Sequence, residues 1–132
     1  MCVFCEIIKG NIPSSKVYED NDVLAILDLS QITKGHTIVF PKKHYENLLD
    51  IDDEAYQKVM VAAKKVAKNI KEIYKPEGFN LVNNCGVVSG QSVPHFHVHV
   101  LPRYTEEELK MVHGNNEGKF DLNKIASEIK VK

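Results

Sequence analysis

The 132-residue chain carries 17 Lys and Arg against 18 Asp and Glu, a formal net charge of −1, with 43% hydrophobic and 27% charged residues. That length suits one globular domain, and those proportions suit a packed core. The balanced charge excludes the basic footprint that a nucleic-acid duplex or an anionic membrane surface attracts, so any phosphate must be held locally by a site. No run reaches the roughly 18 apolar residues of a membrane helix. Met1-Cys2-Val3-Phe4-Cys5-Glu6 lacks the basic-then-apolar pattern of a secretory signal, so the chain reads as cytoplasmic. Three cysteines, Cys2, Cys5 and Cys85, without an export signal argue against a disulfide framework and toward thiols or metal ligands. No repeat and no linker divides residues 1–132, which read as one domain.

In chain order, Glu6 to Lys9 can make one helical turn, and Gly10-Asn11-Ile12-Pro13 favours a bend. Val17 to Glu19 and Val23 to Leu27 flank the turn residues Asp20-Asn21-Asp22 and read as a hairpin. His36 to Phe40 is a third strand, stopped by Pro41. One long helix starts at the acidic Asp52-Asp53-Glu54, where the helix dipole favours negative charge. Its apolar face is Val59, Ala62, Ala63, Val66, Ala67, Ile70 and Ile73, with Lys58, Lys64, Lys65, Lys68 and Lys71 on the solvated side. Pro76 and Gly78 end it. Phe79 to Val82 and His95 to Leu101 are further strands, separated by a loop with two glycines, Gly86 and Gly90. The polar tail from Thr105 holds two short helix candidates, Glu106 to Met111 and Leu122 to Ile129. About five strands, mostly paired in order, with one long helix predict an α+β fold: an antiparallel sheet covered on one face by the helix.

The informative segment is His95-Phe96-His97-Val98-His99-Val100-Leu101. Side chains alternate along a strand, so the three histidines share one face and Phe96, Val98 and Val100 the other. Next-but-one histidines stand about 6.6–6.8 Å apart. A row of half-exposed strand histidines is a poor explanation, because it gives up good strand formers for no packing gain. A metal site built by the row and a catalytic row both remain, since imidazole ligates zinc and also titrates near neutrality. Immediately upstream, Gly90-Gln91-Ser92 brings backbone N–H groups to the strand, and Asn84 and Ser92 can donate to phosphate oxygens. That loop ahead of three in-register histidines favours phosphate chemistry.

His-φ-His-φ-His-φ-φ, with φ apolar, resembles the signature of the histidine-triad superfamily at every position from His95 to Leu101. The resemblance extends over Phe4 to Pro13, Asp28 to Ser30 and Gly35 to His44, and it is strongest to the nucleotide-binding branch and its bacterial members. Beyond Tyr104 nothing specific matches, so residues 1–103 form the core and 104–132 a tail. The resemblance implies a hydrolase or transferase that cleaves at the α-phosphate of a purine nucleoside 5′-phosphate derivative, a phosphoramidate or similar conjugate. In that reading His97 would be the nucleophile, forming a nucleotidyl-histidine intermediate. His99 would donate to a phosphate oxygen, and His36 would set protonation and orientation. Asn84, Gln91 and Ser92 would line the phosphate and leaving-group side, with Ser92 counted among the catalytic residues. Asp28 and Leu29 would meet the nucleotide, Asp28 through the ribose hydroxyls. Val3, Phe4, Ile7, Ile26 and Leu29 would form an apolar slot for the base, although Phe4 and Ile7 suit plain core equally and Asp28 could simply cap a turn.

Cys2-Val3-Phe4-Cys5 is a C-x₂-C pair, and a tetrahedral zinc needs two more ligands. Family members with this pair resemble a Cys₂His₂ zinc protein, and the resemblance assigns His44 and His95 as the partners. It implies a structural Zn²⁺ held by Cys2, Cys5, His44 and His95. It also implies a homodimer, while the balanced charge leaves no nucleic-acid duplex and no membrane among the expected partners. Three other readings stand beside it. One is cleavage of dinucleoside polyphosphates as in the fragile-histidine-triad branch, suggested by Val98 to Arg103. Another is a nucleotide-binding module without significant turnover. The last is a metal hydrolase using His95, His97 and His99 together.

Overall fold

In the computed structural model, residues 1–108 and 114–131 are described. The elements are α1 (Val3–Ile8), β1 (Lys16–Glu19), β2 (Val23–Leu27), β3 (Thr37–Pro41), α2 (Asp53–Tyr74), β4 (Gly78–Val82), β5 (Val98–Arg103) and α3 (Leu122–Ile129). The five strands form one antiparallel sheet in the order β1-β2-β3-β5-β4, the expected α+β architecture. Among the described residues, no helix is long and apolar enough to cross a membrane.

α2 covers one face. Asp52 caps it by accepting from the Ala55 N–H at 2.8 Å, and the Tyr45 hydroxyl donates to the other carboxylate oxygen at 2.7 Å. Lys75, in the left-handed conformation at φ 57°, closes it just before Pro76. Val59, Ala62, Ala63, Val66 and Ile70 are buried against Val23, Ala25, Val39, Phe96, Val98 and Val100. Ile73, expected on this apolar face, is 62% exposed in the final turn of the helix.

The other face carries a second cluster, with Phe4 and Ile7 of α1 on Leu24, Ile26, Ile38 and Phe40. Phe4 stacks on Phe40 with ring centroids 4.5 Å apart. β2 and β3 are therefore covered on both sides, which is why Val23 to Ile26 and all of β3 are buried. The link between β2 and β3 turns through Gly35 at φ +98°, a conformation that side-chain-bearing residues rarely adopt, which favours glycine just before His36.

Several boundaries differ from the sequence expectations. α1 begins at Val3 rather than Glu6 because the Cys2 sulfur accepts from the Cys5 N–H and caps it. Pro41 is the last residue of β3, opposite Val23, rather than a residue beyond it. Of the helix expected over Glu106 to Met111, Glu106–Glu108 form a single 3₁₀ turn, and residues 109–111 lie outside the described residues. β5 starts at Val98, not His95, because its pairing with β3 runs only from Val98 to Val100 and its pairing with β4 only from His99 to Arg103.

Phe96 sits under α2, fully buried, with Tyr56 edge-on to it at 6.0 Å. Phe96→Ala is expected to lower the unfolding free energy by about 3–5 kcal/mol, read as a fall in the urea midpoint with an unchanged slope.

Candidate active site

Although His95 to His97 precede the ladder, the alternation survives. Phe96, Val98 and Val100 face α2, while His95 and His97 lie edge-on to Phe4 on the opposite side, at 5.7 and 5.1 Å between ring centroids. Backbone contacts outside the sheet hold the segment. The Phe96 N–H donates to the Tyr45 carbonyl at 2.7 Å, and the Asn83 side-chain amide donates to the His97 carbonyl at 2.9 Å.

Hydrogen-bond partners assign the tautomer of each ring. Nδ1 of His97 lies 2.7 Å from the His95 carbonyl oxygen, which only accepts. Nδ1 therefore carries the proton and Nε2 keeps its lone pair. The Ile32 N–H donates to Nδ1 of His36 at 3.2 Å, so His36 carries its proton on Nε2. That N–H donates to Nδ1 of His99 at 2.9 Å, leaving the proton of His99 on its Nε2. Burial pushes all these imidazoles below their ordinary value. His36 and His97 move down, and His99 is pushed to about 4 by burial, helped by His97 and His36. Asp28 opposes the shift at each of the three. Near neutral pH the cluster is a set of neutral rings with one uncommitted lone pair, on Nε2 of His97, and one uncommitted N–H, on His99.

Asp28 serves two purposes. One carboxylate oxygen accepts from the Ser30 N–H at 2.7 Å, capping the turn, and the other lies 3.5 Å from Nε2 of His36. Asp28, His36 and His99 come close enough to suggest a metal triad. The direction of the Ile32 bond argues otherwise, since it leaves on Nε2 of His36 a proton that an ion would have to displace.

His97 and His99 border a groove of about 300 Å³. All five residues expected at the base slot, Val3, Phe4, Ile7, Ile26 and Leu29, line it, joined by Ile12, Leu27, Ile38 and Val93. Asp28 and Ser92 add polar groups to the wall. Asn84 and Gln91 are not among the lining residues. Gln91 braces its own loop, accepting from the Gly86 N–H at 2.8 Å and donating to the carbonyls of Glu46 at 2.7 Å and Val93 at 3.1 Å. Asn84 packs beside Gly90, which adopts φ +106°. Cys85, expected to be only a loop residue, is a free thiol. Asn83, the Ile32 N–H and the Pro41 and Tyr45 carbonyls were not anticipated. Three of them are backbone groups, which no side-chain pattern announces.

On the far side of His95 a second cluster forms. Nε2 of His95 lies 2.8 Å from the Pro41 carbonyl and so bears the proton, which turns the Nδ1 lone pair toward Cys2, at 3.4 Å, Cys5, at 3.6 Å, and Nδ1 of His44, at 3.1 Å. Cys5 is 3.4 Å from Nδ1 of His44. A tetrahedral zinc with S and N ligands sets its donors about 3.3–3.8 Å apart; the S–N separations of 3.4–3.6 Å fall in that range and the N–N separation of 3.1 Å is slightly short of it. The His95 bond to Pro41 is the outer support such a ligand needs. Because His95 faces the cysteines, His97 the groove and His99 His36, the three do not converge on one ion.

Residues 9–106 match the family model described as the HIT domain. The chain is 39% identical over 106 residues to the adenosine 5′-monophosphoramidase of Schizosaccharomyces pombe, a match covering 80% of this chain and 77% of that one. Its structure resembles the crystal structure of a HIT family protein from Bacillus anthracis with a TM-score of 0.92 and 44% identity, over 99% of this chain and 97% of that one. A zinc-bound histidine triad family protein from Mycobacterium smegmatis matches with a TM-score of 0.79 and 34% identity, over 89% and 86% of the two chains.

The lowered imidazole values carry a pH dependence. For His99 the folded value, about 4, lies below the ordinary 6.5. The unfolded chain therefore takes up a proton there that the folded chain refuses, so stability is full above pH 6.5 and falls as the pH drops toward 4. Urea titrations across that window are expected to show a shallower fall in midpoint for His99→Gln than for the unsubstituted chain.

Proposed function

The chain belongs to the HIT domain family, and on that footing we propose that it is a nucleotide hydrolase or nucleotidyl transferase acting at the α-phosphate of a purine nucleoside 5′-phosphate derivative, such as a phosphoramidate. The observation that carries this reading is the bond from Nδ1 of His97 to the His95 carbonyl, which leaves Nε2 unprotonated in a ring bordering the groove. The phosphoramidase activity named for the Schizosaccharomyces pombe relative supports the substrate class.

The base lies among Val3, Phe4, Ile7, Ile26 and Leu29, and Asp28 accepts from the ribose hydroxyls. Nε2 of His97 attacks phosphorus; the P–N bond to the ring forms as the bond to the leaving group breaks, and the leaving group takes the electron pair and a proton from solvent and departs as the neutral amine. The outward N–H of His99 stabilises charge on the phosphate oxygens. His36 holds His99 in the tautomer that can donate, and Ser92 stands on the leaving-group side. Water then attacks phosphorus and gives up a proton to solvent, the electron pair of the P–N bond returns to Nε2 of His97, and the nucleoside monophosphate leaves. One difficult displacement becomes two easier ones. Asn84 and Gln91, outside the groove lining, support the loop that carries Ser92.

Cys2, Cys5, His44 and His95 would hold Zn²⁺, consistent with the zinc-bound relative. Bound there, the ion would serve as a structural cross-link between α1 and the segment that carries His97. We further read residues 1–132 as one domain that works as a homodimer through an edge of its sheet.

His97→Gly is expected to abolish turnover of adenosine 5′-phosphoramidate while adenosine monophosphate still binds. Intact mass after rapid quenching should show one adenylyl group on the unsubstituted protein and none on His97→Gly. Binding without an adduct or product from the unsubstituted protein would indicate a nucleotide-binding module instead. Cys5→Ser is expected to lower zinc content, measured by elemental analysis, and to drop the melting temperature by roughly 5 °C or more. A metal-free protein of unchanged stability would overturn the zinc assignment.

A further inference from the structure

We infer that Asn83 is a positioning residue for the nucleophile: its side-chain amide holds the His97 carbonyl and so fixes the peptide from which the reacting imidazole projects. This rests on the reading of His97 as nucleophile.

The sheet leaves the His97 carbonyl without a ladder partner. Pairing between β4 and β5 stops at Val82 opposite His99, and pairing between β3 and β5 stops at Val39 opposite Val98. Asn83, the first residue beyond β4, fills the gap by donating from Nδ2 at 2.9 Å. The other amide atom, Oδ1, is buried with no hydrogen-bond partner. A buried carbonyl oxygen without a donor costs stability, and an apolar side chain of similar size would avoid that cost. The amide is thus explained by what its N–H does. The residue before β5 is then tied twice: the His97 ring through Nδ1 to the His95 carbonyl, and the His97 main chain through its own carbonyl to Asn83. Asn83 does not line the groove, so it acts through His97 and does not touch the substrate.

The test compares Asn83→Leu, Asn83→Ala and Asn83→Gln with the unsubstituted protein, using adenosine 5′-phosphoramidate under single-turnover quenched flow with intact-mass detection. Asn83→Leu is expected to form the adenylyl adduct about ten- to a hundredfold more slowly, the cost of a slightly misaimed nucleophile, with adenosine monophosphate affinity within roughly twofold and an undiminished urea midpoint. Asn83→Gln, which keeps a donor, should recover part of the rate. In the same samples the ¹⁵N signals of the His97 ring should report one Nδ1–H tautomer in the unsubstituted protein and a broadened or mixed state in Asn83→Leu. Adduct formation at the unsubstituted rate in Asn83→Leu, or losses of rate that follow losses of stability across the three variants, would overturn the inference. If the unsubstituted protein forms no adduct, the nucleophile reading fails, and the ring signals decide the positioning role alone: an unaltered tautomer in Asn83→Leu removes it.

Discussion

A buried neutral imidazole has one N–H to satisfy and one lone pair left to use, and this constraint organises the molecule. His95 gives its N–H to the Pro41 carbonyl, and His97 gives its N–H to the His95 carbonyl. His99 spends its lone pair on the N–H of His36. What remains differs in each case: a lone pair aimed at two cysteines and His44, a lone pair at the groove, and an outward N–H. Three chemically identical side chains acquire three roles from the acceptor or donor that each one meets. Burial makes the division stable by disfavouring the charged ring, which would need donors and acceptors in another pattern.

The same constraint explains why so short a helix as α1 matters. Six residues cannot hold a helix by backbone bonds alone. α1 is held by its side chains: Phe4 and Ile7 in the cluster with Phe40 and Ile38, and Cys2 and Cys5 beside His44 and His95. Its apolar residues also line the groove. The thiol cluster and the groove wall are thus two faces of one element. The rings of His95 and His97, which serve those two sites, both meet Phe4 edge-on.

Much of this was legible in the chain. The period-two pattern from His95 to Leu101 separated the face under α2 from the imidazole face, and that separation holds even where the ladder does not. The apolar spacing of α2 was readable because its period is strong over six turns, and it failed only at Ile73, in the final turn. The short helix expected at Leu122 to Ile129 is present as α3. The loop from Asn84 to Ser92 was less readable. Polar residues in a glycine-containing loop can face a ligand or hold the loop itself, and sequence does not distinguish them. Ser92 reaches the groove, whereas Gln91 spends its amide on three backbone groups. Asn83 gave no signal because its partner is a main-chain carbonyl left unpaired by the ends of two ladders.

By itself, then, the sequence determined the α+β architecture, the shared face of the three histidines and the residue types that gather around them, because hydrophobic period and side-chain chemistry are local properties. Only the tertiary structure decided which nitrogen of each ring is free. That depends on Pro41 and His95 arriving as carbonyls and on Ile32 and His36 arriving as N–H donors, which the fold around each ring sets.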